Sequence, residues 1–198
     1  MSEHEWKSLM QQWSNDILAS DYRTRFPEEL IDSGWLGFPP ATEEEIQEAE
    51  ARLQTELPAA YKEFLIVTNG WRMTTPFVDR VWGTEEVDWV AVKRKGIIDR
   101  QREVIGDLGE MDIPDSEYFV YNRAQPYLLR QKDLENALEV GFGSQIDLYL
   151  FVPGMPASGA KWDACLEAPK SVESTRYRSF WDLMVAEYEG FLRLKDVR

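Results

Sequence analysis

Apolar residues recur at helical spacing in four stretches of the chain. Trp6, Leu9, Met10, Trp13, Ile17 and Leu18 form one stripe, and Ile46, Ala49 and Leu53 a second. Tyr61, Phe64, Leu65 and Thr68 form a third, and Phe180, Leu183, Met184, Tyr188, Phe191 and Leu192 the last. Spacing of three and four residues predicts amphipathic helices, each with one face turned to a core. Thr42 followed by Glu45 has the pattern of a capping box, with Glu43 and Glu44 favourable beside it. Pro58 suits the first turn of the next helix, and Asn69-Gly70 can supply positive φ where that helix stops. Ser179 and Asp182 open the last helix in a similar way. Between the first two helices, Phe26 to Pro40 carries Pro27, Gly34, Gly37 and Pro39-Pro40, the marks of an irregular connector.

Past Gly70 the period shortens. Runs with β character lie at Phe77–Val81, Val87–Val92, Tyr118–Tyr121, Leu138–Phe142 and Ile146–Val152, with Lys161–Leu166 as a further candidate after the loop GMPASGA. The run IDLYLFV is apolar at every position but Asp147, which predicts a central strand covered on both faces. Helices first, then strands, then a helix define an α+β chain with a mostly antiparallel sheet. Residues 1–34 are read as a helical extension and connector, and residues 35–198 as the main domain.

Composition narrows the function. With 43% hydrophobic residues in 198, the chain has enough apolar material for a packed core, and eight Trp make several of them partly buried or contact residues. The formal net charge of −14 repels a phosphate backbone or an anionic membrane and attracts a basic protein. One cysteine, Cys165, allows no intramolecular disulfide, and no apolar run approaches membrane-spanning length. Together with an N-terminus unlike a signal peptide, this points to a cytoplasmic protein.

The stretch from Trp35 to Trp71 resembles the SUKH superfamily, which includes fungal cell-wall-synthesis regulators and many bacterial toxin-immunity proteins. The resemblance rests on the WLGFPPA approach, Ile46, Glu50, Leu53, Leu57-Pro58, Tyr61, Phe64, Leu65 and Asn69-Gly70-Trp71. Downstream, LENALEVGFG, the strand ending at Val152-Pro153 and SFWDLMVAEYEGFL follow the same layout, so that the likeness spans roughly residues 35 to 195. One departure stands out, because many relatives have Leu-Gly where this chain has Leu53-Gln54. The resemblance implies a binding protein without catalytic machinery or cofactor. Bacterial members are typically encoded beside secreted toxins, often nucleases or deaminases, and neutralise them by direct binding.

The residues offer little independent chemistry. His4 is the single histidine, and a catalytic triad or a transition-metal site needs a cluster that the sequence does not supply. Cys165 lies in an apolar-leaning run and reads as a buried, inert thiol. Glu43, Glu44 and Glu45 are explained as a solvated helix start. The segment Glu103 to Asn122 reads in part as an acidic loop, marked by Gly106, Gly109 and Pro114, and two readings stay open for Asp107, Glu110, Asp112, Asp115 and Glu117: a solvated charge run, or a docking edge for a basic partner. Trp82 and Trp89, with Glu85, Glu86 and Asp88 between them, form the candidate aromatic anchor with an acidic rim. Three functions stay open: an immunity protein binding a cognate toxin, a housekeeping interaction module of the same family, and an enzyme built on paired carboxylates.

Overall fold

The computed structural model describes residues 2–108, 113–143, 147–155 and 160–195. Helix α1 (Glu3–Leu18) is followed by a 3-10 turn (Asp21–Arg25) and the short α2 (Glu28–Ser33), which ends on left-handed Gly34. The expected connector is thus partly helical. α3 (Glu43–Leu53) starts on the predicted capping box, in which Thr42 Oγ1 accepts from the Glu45 N–H and Glu45 Oε2 accepts from the Thr42 N–H. α4 (Ala59–Val67) begins one residue after Pro58, which occupies the cap position itself.

Two details of this helix pair have clear backbone causes. Gln54 closes α3 in the left-handed region (φ 54°, ψ 34°). Gly70 has φ +105°, and a Cβ there would stand 3.0 Å from the Val81 carbonyl oxygen, so the turn after α4 requires glycine. Between the helices, Glu50 accepts from the Leu57 N–H and pairs with Lys62 at 3.0 Å, holding the hinge in place.

The sheet, antiparallel at every strand pairing, runs β1 (Trp71–Arg72), β2 (Arg80–Val81), β5 (Leu138–Phe142), β6 (Leu148–Pro153), β7 (Trp162–Ala168), β8 (Glu173–Tyr177) and β4 (Ala124–Gln125), with β3 (Asp88–Trp89) also paired to β5. α9 (Phe180–Leu194) closes the fold with Ser179 as its N-cap. The predicted strand at 138–142 appears with those bounds, and β6 occupies the centre as expected, Ile146 lying outside the described residues. The expected strand Val87–Val92 is cut short, because α5 (Val90–Lys93) begins directly after Trp89. Tyr118 ends a helical turn, α7 (Asp115–Tyr118), and Tyr121 makes only a single bridge to Arg176. The expected loop at Gly106 is instead part of α6 (Lys95–Leu108). Burial of Ile98 and a bond from Gln101 to the Leu129 carbonyl hold that helix down, and one glycine is tolerated inside it.

Successive side chains of β6 go to opposite faces, and both faces are dry. Tyr149 and Phe151 join a core with α1, α3, α4 and α9, whereas Leu148, Leu150 and Val152 join a second core under α5, α6, α7 and α8 (Gln131–Glu135). In the first core Trp6, Met10, Trp13 and Ile17 of α1 are fully buried, and Trp6 packs against Phe64, Phe180 and Trp181. Each fully buried side chain of this size contributes roughly 1.5–3 kcal/mol relative to exposure.

Among the described residues, buried Arg176, Asp133, Asp163, Glu139 and Glu187 are held by partners, whereas one oxygen of Glu167 is not. Arg176, 2% exposed, bonds Asp133 and Asp163, which also accept from Tyr118 and Tyr121. Glu187 of α9 accepts from the Tyr149 hydroxyl, which also shares a hydrogen bond with Thr74. Burial pushes the Glu187 carboxyl up to about 7, and Asp147 adds to this while Arg193 opposes it. Burial alone pushes Glu167, whose Oε2 has no partner, up to about 8.

Two predictions follow from this interior. Gln54→Gly relieves the left-handed side chain and should raise stability by about 0.5–1 kcal/mol, read as a higher Tm. A raised native pKa means that the folded state binds the extra proton. The Glu187 contribution is therefore complete below pH 4.5 and lost as pH rises through about 7. Denaturant titrations from pH 4 to pH 8 should show wild type losing on the order of 3 kcal/mol relative to Glu187→Gln. A flat difference would show that folding leaves the pKa of this carboxyl at its unfolded value.

Candidate functional site

The second core takes in no residue of β1 or β2 among the described residues. The sheet face beyond it is lined by charged and aromatic side chains. Arg72 of β1 stands directly opposite Arg80 of β2, Arg80 opposite Phe142 of β5, and Phe142 opposite Leu148 of the second core. Directly paired residues project to the same face, so this row continues the core surface outward. Trp82, two residues after Arg80, shares that face.

Aromatic rings support the cations. Arg72 and Arg80 both lie over the Phe38 ring, at 3.7 and 4.2 Å from its centroid. Arg94 covers Phe142 at 4.0 Å and the Lys93 ammonium covers Trp82 at 4.2 Å. Under them lies Glu139, fully buried, with Arg94 Nε 2.6 Å from Oε2 and Lys93 Nζ 3.4 Å from Oε1. The Trp82 indole N–H donates to Glu139 Oε1 at 2.9 Å. Arg80 donates to both oxygens of Glu86 at 2.8 and 2.9 Å, but its Nε is buried without a partner. Burial, with the Arg80 charge beside it, pulls the Arg72 guanidinium below its ordinary range. Burial also lowers Lys93, against the opposing pull of Glu139. Four cations thus meet two carboxylates, Glu86 and Glu139, as direct partners, while Glu45 and Glu85 line the cleft beside Arg80, on a chain of net −14.

The residues singled out from the sequence are distributed over several places. Trp82 belongs to this face, and Glu86 is there as the partner of Arg80. Glu85 is exposed, and Asp88 lies 3.7 Å from Arg52. Trp89 is opposite Leu138, packs on the first core and donates to the Leu53 carbonyl, so the two tryptophans point to different sides of the sheet. Trp89 meets Trp162, which borders a cleft of about 500 Å³ between the starts of α4 and α9. Asp115 and Glu117 are exposed on α7, Asp115 paired with Arg130 at 2.8 Å. Glu110 and Asp112 lie outside the described residues, as does the side chain of Asp107. Cys165 is fully buried, and burial pushes its thiol far up. Among the described residues no group of three His, Cys, Asp or Glu is placed to hold a metal ion, and no helix is long and apolar enough to cross a membrane.

Arg72, Arg80, Lys93 and Arg94 were not singled out from the sequence. The alternation Arg80-Val81-Trp82 puts a cation and an indole on one face, but only the register of two-residue strands shows what stands beside them.

An α+β sheet with one end left open as an aromatic–cationic face has the form of a protein-interaction module. The sequence matches the SMI1 / KNR4 family (SUKH-1) over residues 40–139, half of the chain, from the approach to α3 to the second residue of β5. The chain belongs to that family. No curated protein matches it.

The buried carboxylate sets the test of this geometry. Glu139→Ala leaves Lys93 and Arg94 without their shared counter-charge and the Trp82 N–H without its acceptor. It should cost roughly 3 kcal/mol in denaturant unfolding, with a smaller loss for Glu139→Gln.

Proposed function

We propose that this chain is a protein-binding module without catalytic turnover, an immunity protein that neutralises a cognate toxin by direct binding in the cytoplasm. Membership of the SUKH-1 family is the observation that carries this reading. Supporting it, the open face combines arginine with Trp and Phe, the residue types enriched at protein interfaces. The net charge of −14 would draw in a basic toxin such as a nuclease, with the exposed carboxylates Glu85, Asp115 and Glu117 among the steering charges.

The test is co-expression with the toxin encoded beside it. Rescue of growth and co-purification are expected, and failure of both sinks the immunity role. If binding to a host protein is found instead, the chain is a regulatory module of the same family. For steering, Glu85→Lys with Glu117→Lys should slow toxin association by roughly threefold at low salt and change it little at high salt. An unchanged association rate removes these residues from the encounter.

A further inference from the structure

The Arg72–Arg80 pair is unfavourable in the free protein. Like charges directly opposite each other on neighbouring strands repel, and here both guanidinium groups also share one ring, Phe38. Their counter-charges do not cancel them. Among the described residues, Arg72 donates to the Leu36 and Gly37 carbonyls alone, and Arg80 is matched by Glu86, while its Nε has no acceptor. Lys93 and Arg94 bring two more positive charges against the single carboxylate of Glu139. Such an arrangement is relieved by an anion that arrives from outside. Glu45 and Glu85 line the cleft that Arg80 shares with Phe38 and Asn69, so within that cleft an anion is disfavoured.

We infer that the open face of β1, β2 and β5 binds a carboxylate-rich segment of a protein partner, with Arg72, Arg80 and Lys93 taking the carboxylates and Trp82 and Phe38 giving the apolar floor. Guanidinium groups fixed on rings offer their N–H edges to carboxylates with little ordering cost. A short polypeptide segment fits better than nucleic acid, because the field of a −14 chain grows more unfavourable with every further charge of an extended phosphate backbone. The inference names partner chemistry for the protein-binding reading. Its test uses a free peptide, so that either can fail without the other.

In the experiment the full chain, labelled with ¹⁵N, is titrated with hexaglutamate at low salt. The Trp82 indole N–H signal, assigned with Trp82→Phe, is followed. It should shift with a dissociation constant of about 1 mM or tighter, and the shift should shrink as salt is added. Arg80→Gln or Lys93→Gln should weaken binding about fivefold, while Lys7→Gln, on α1, leaves it unchanged. Undisturbed signals from the remaining indoles verify that each variant is folded, and using two variants guards against the loss of one. No shift at Trp82, or a shift that both variants leave intact, overturns the inference. A stronger response to a thymidine hexanucleotide than to hexaglutamate overturns it in favour of a nucleic-acid surface.

Discussion

β6 is the constraint on which the rest of the molecule depends. It has no side that water can wet, since Tyr149 and Phe151 on one face and Leu148, Leu150 and Val152 on the other are all buried. A central strand of this kind needs a layer on each side of the sheet. α1, α3, α4 and α9 form one layer, and α5 to α8 form the other. The second core takes in no residue of β1 or β2 among the described residues. The strands it leaves uncovered, β1 and β2, are where the charged face develops, so the site is a consequence of an unequal pair of layers.

The interior also accommodates several ionisable groups, and three of them tie together parts of the chain far apart in sequence. Arg176 joins β8 to β7 and α8 through Asp163 and Asp133. Glu187 joins α9 to β6, and through Thr74 to the indole of Trp13 on α1, which donates to the Thr74 carbonyl. Glu139 joins β5 to the two cations at the end of α5 and to Trp82. Partners within hydrogen-bond reach offset the desolvation of these charges. Glu167 differs in having no such partner, and burial keeps its proton on.

What could be read from the sequence follows the chemistry of the inward faces. α1, α3, α4 and α9 present apolar stripes, which named most of their buried residues but missed Ser14, Val67 and Glu187. β6 was legible because apolar residues on two faces leave a continuous run. β8 was not, because the residues it turns to the second core are Ser174 and Arg176, and a polar inward face leaves no hydrophobic period. α6 is poorly legible at its end, since Gly106 and the acidic residues around it outweigh its few apolar positions. The site was the least legible part. Trp82 was picked out, but the charge around it comes from Arg72, Lys93 and Arg94, which only strand register and the turn into α5 bring near.

The contact between α1 and α9 has a consequence for how the molecule is made. Trp6 rests on Phe180 and Trp181, Trp13 on Tyr188, and Asp16 holds both Tyr188 and Lys195. These partners are separated by nearly the full sequence. On the ribosome, the stripe of α1 is synthesised long before the helix that seals it, and long-range closures of this kind are slow. Until then Trp6, Met10, Trp13 and Ile17 have no complete cover, and the nascent chain carries a sticky helix that chaperones or neighbouring chains can meet first.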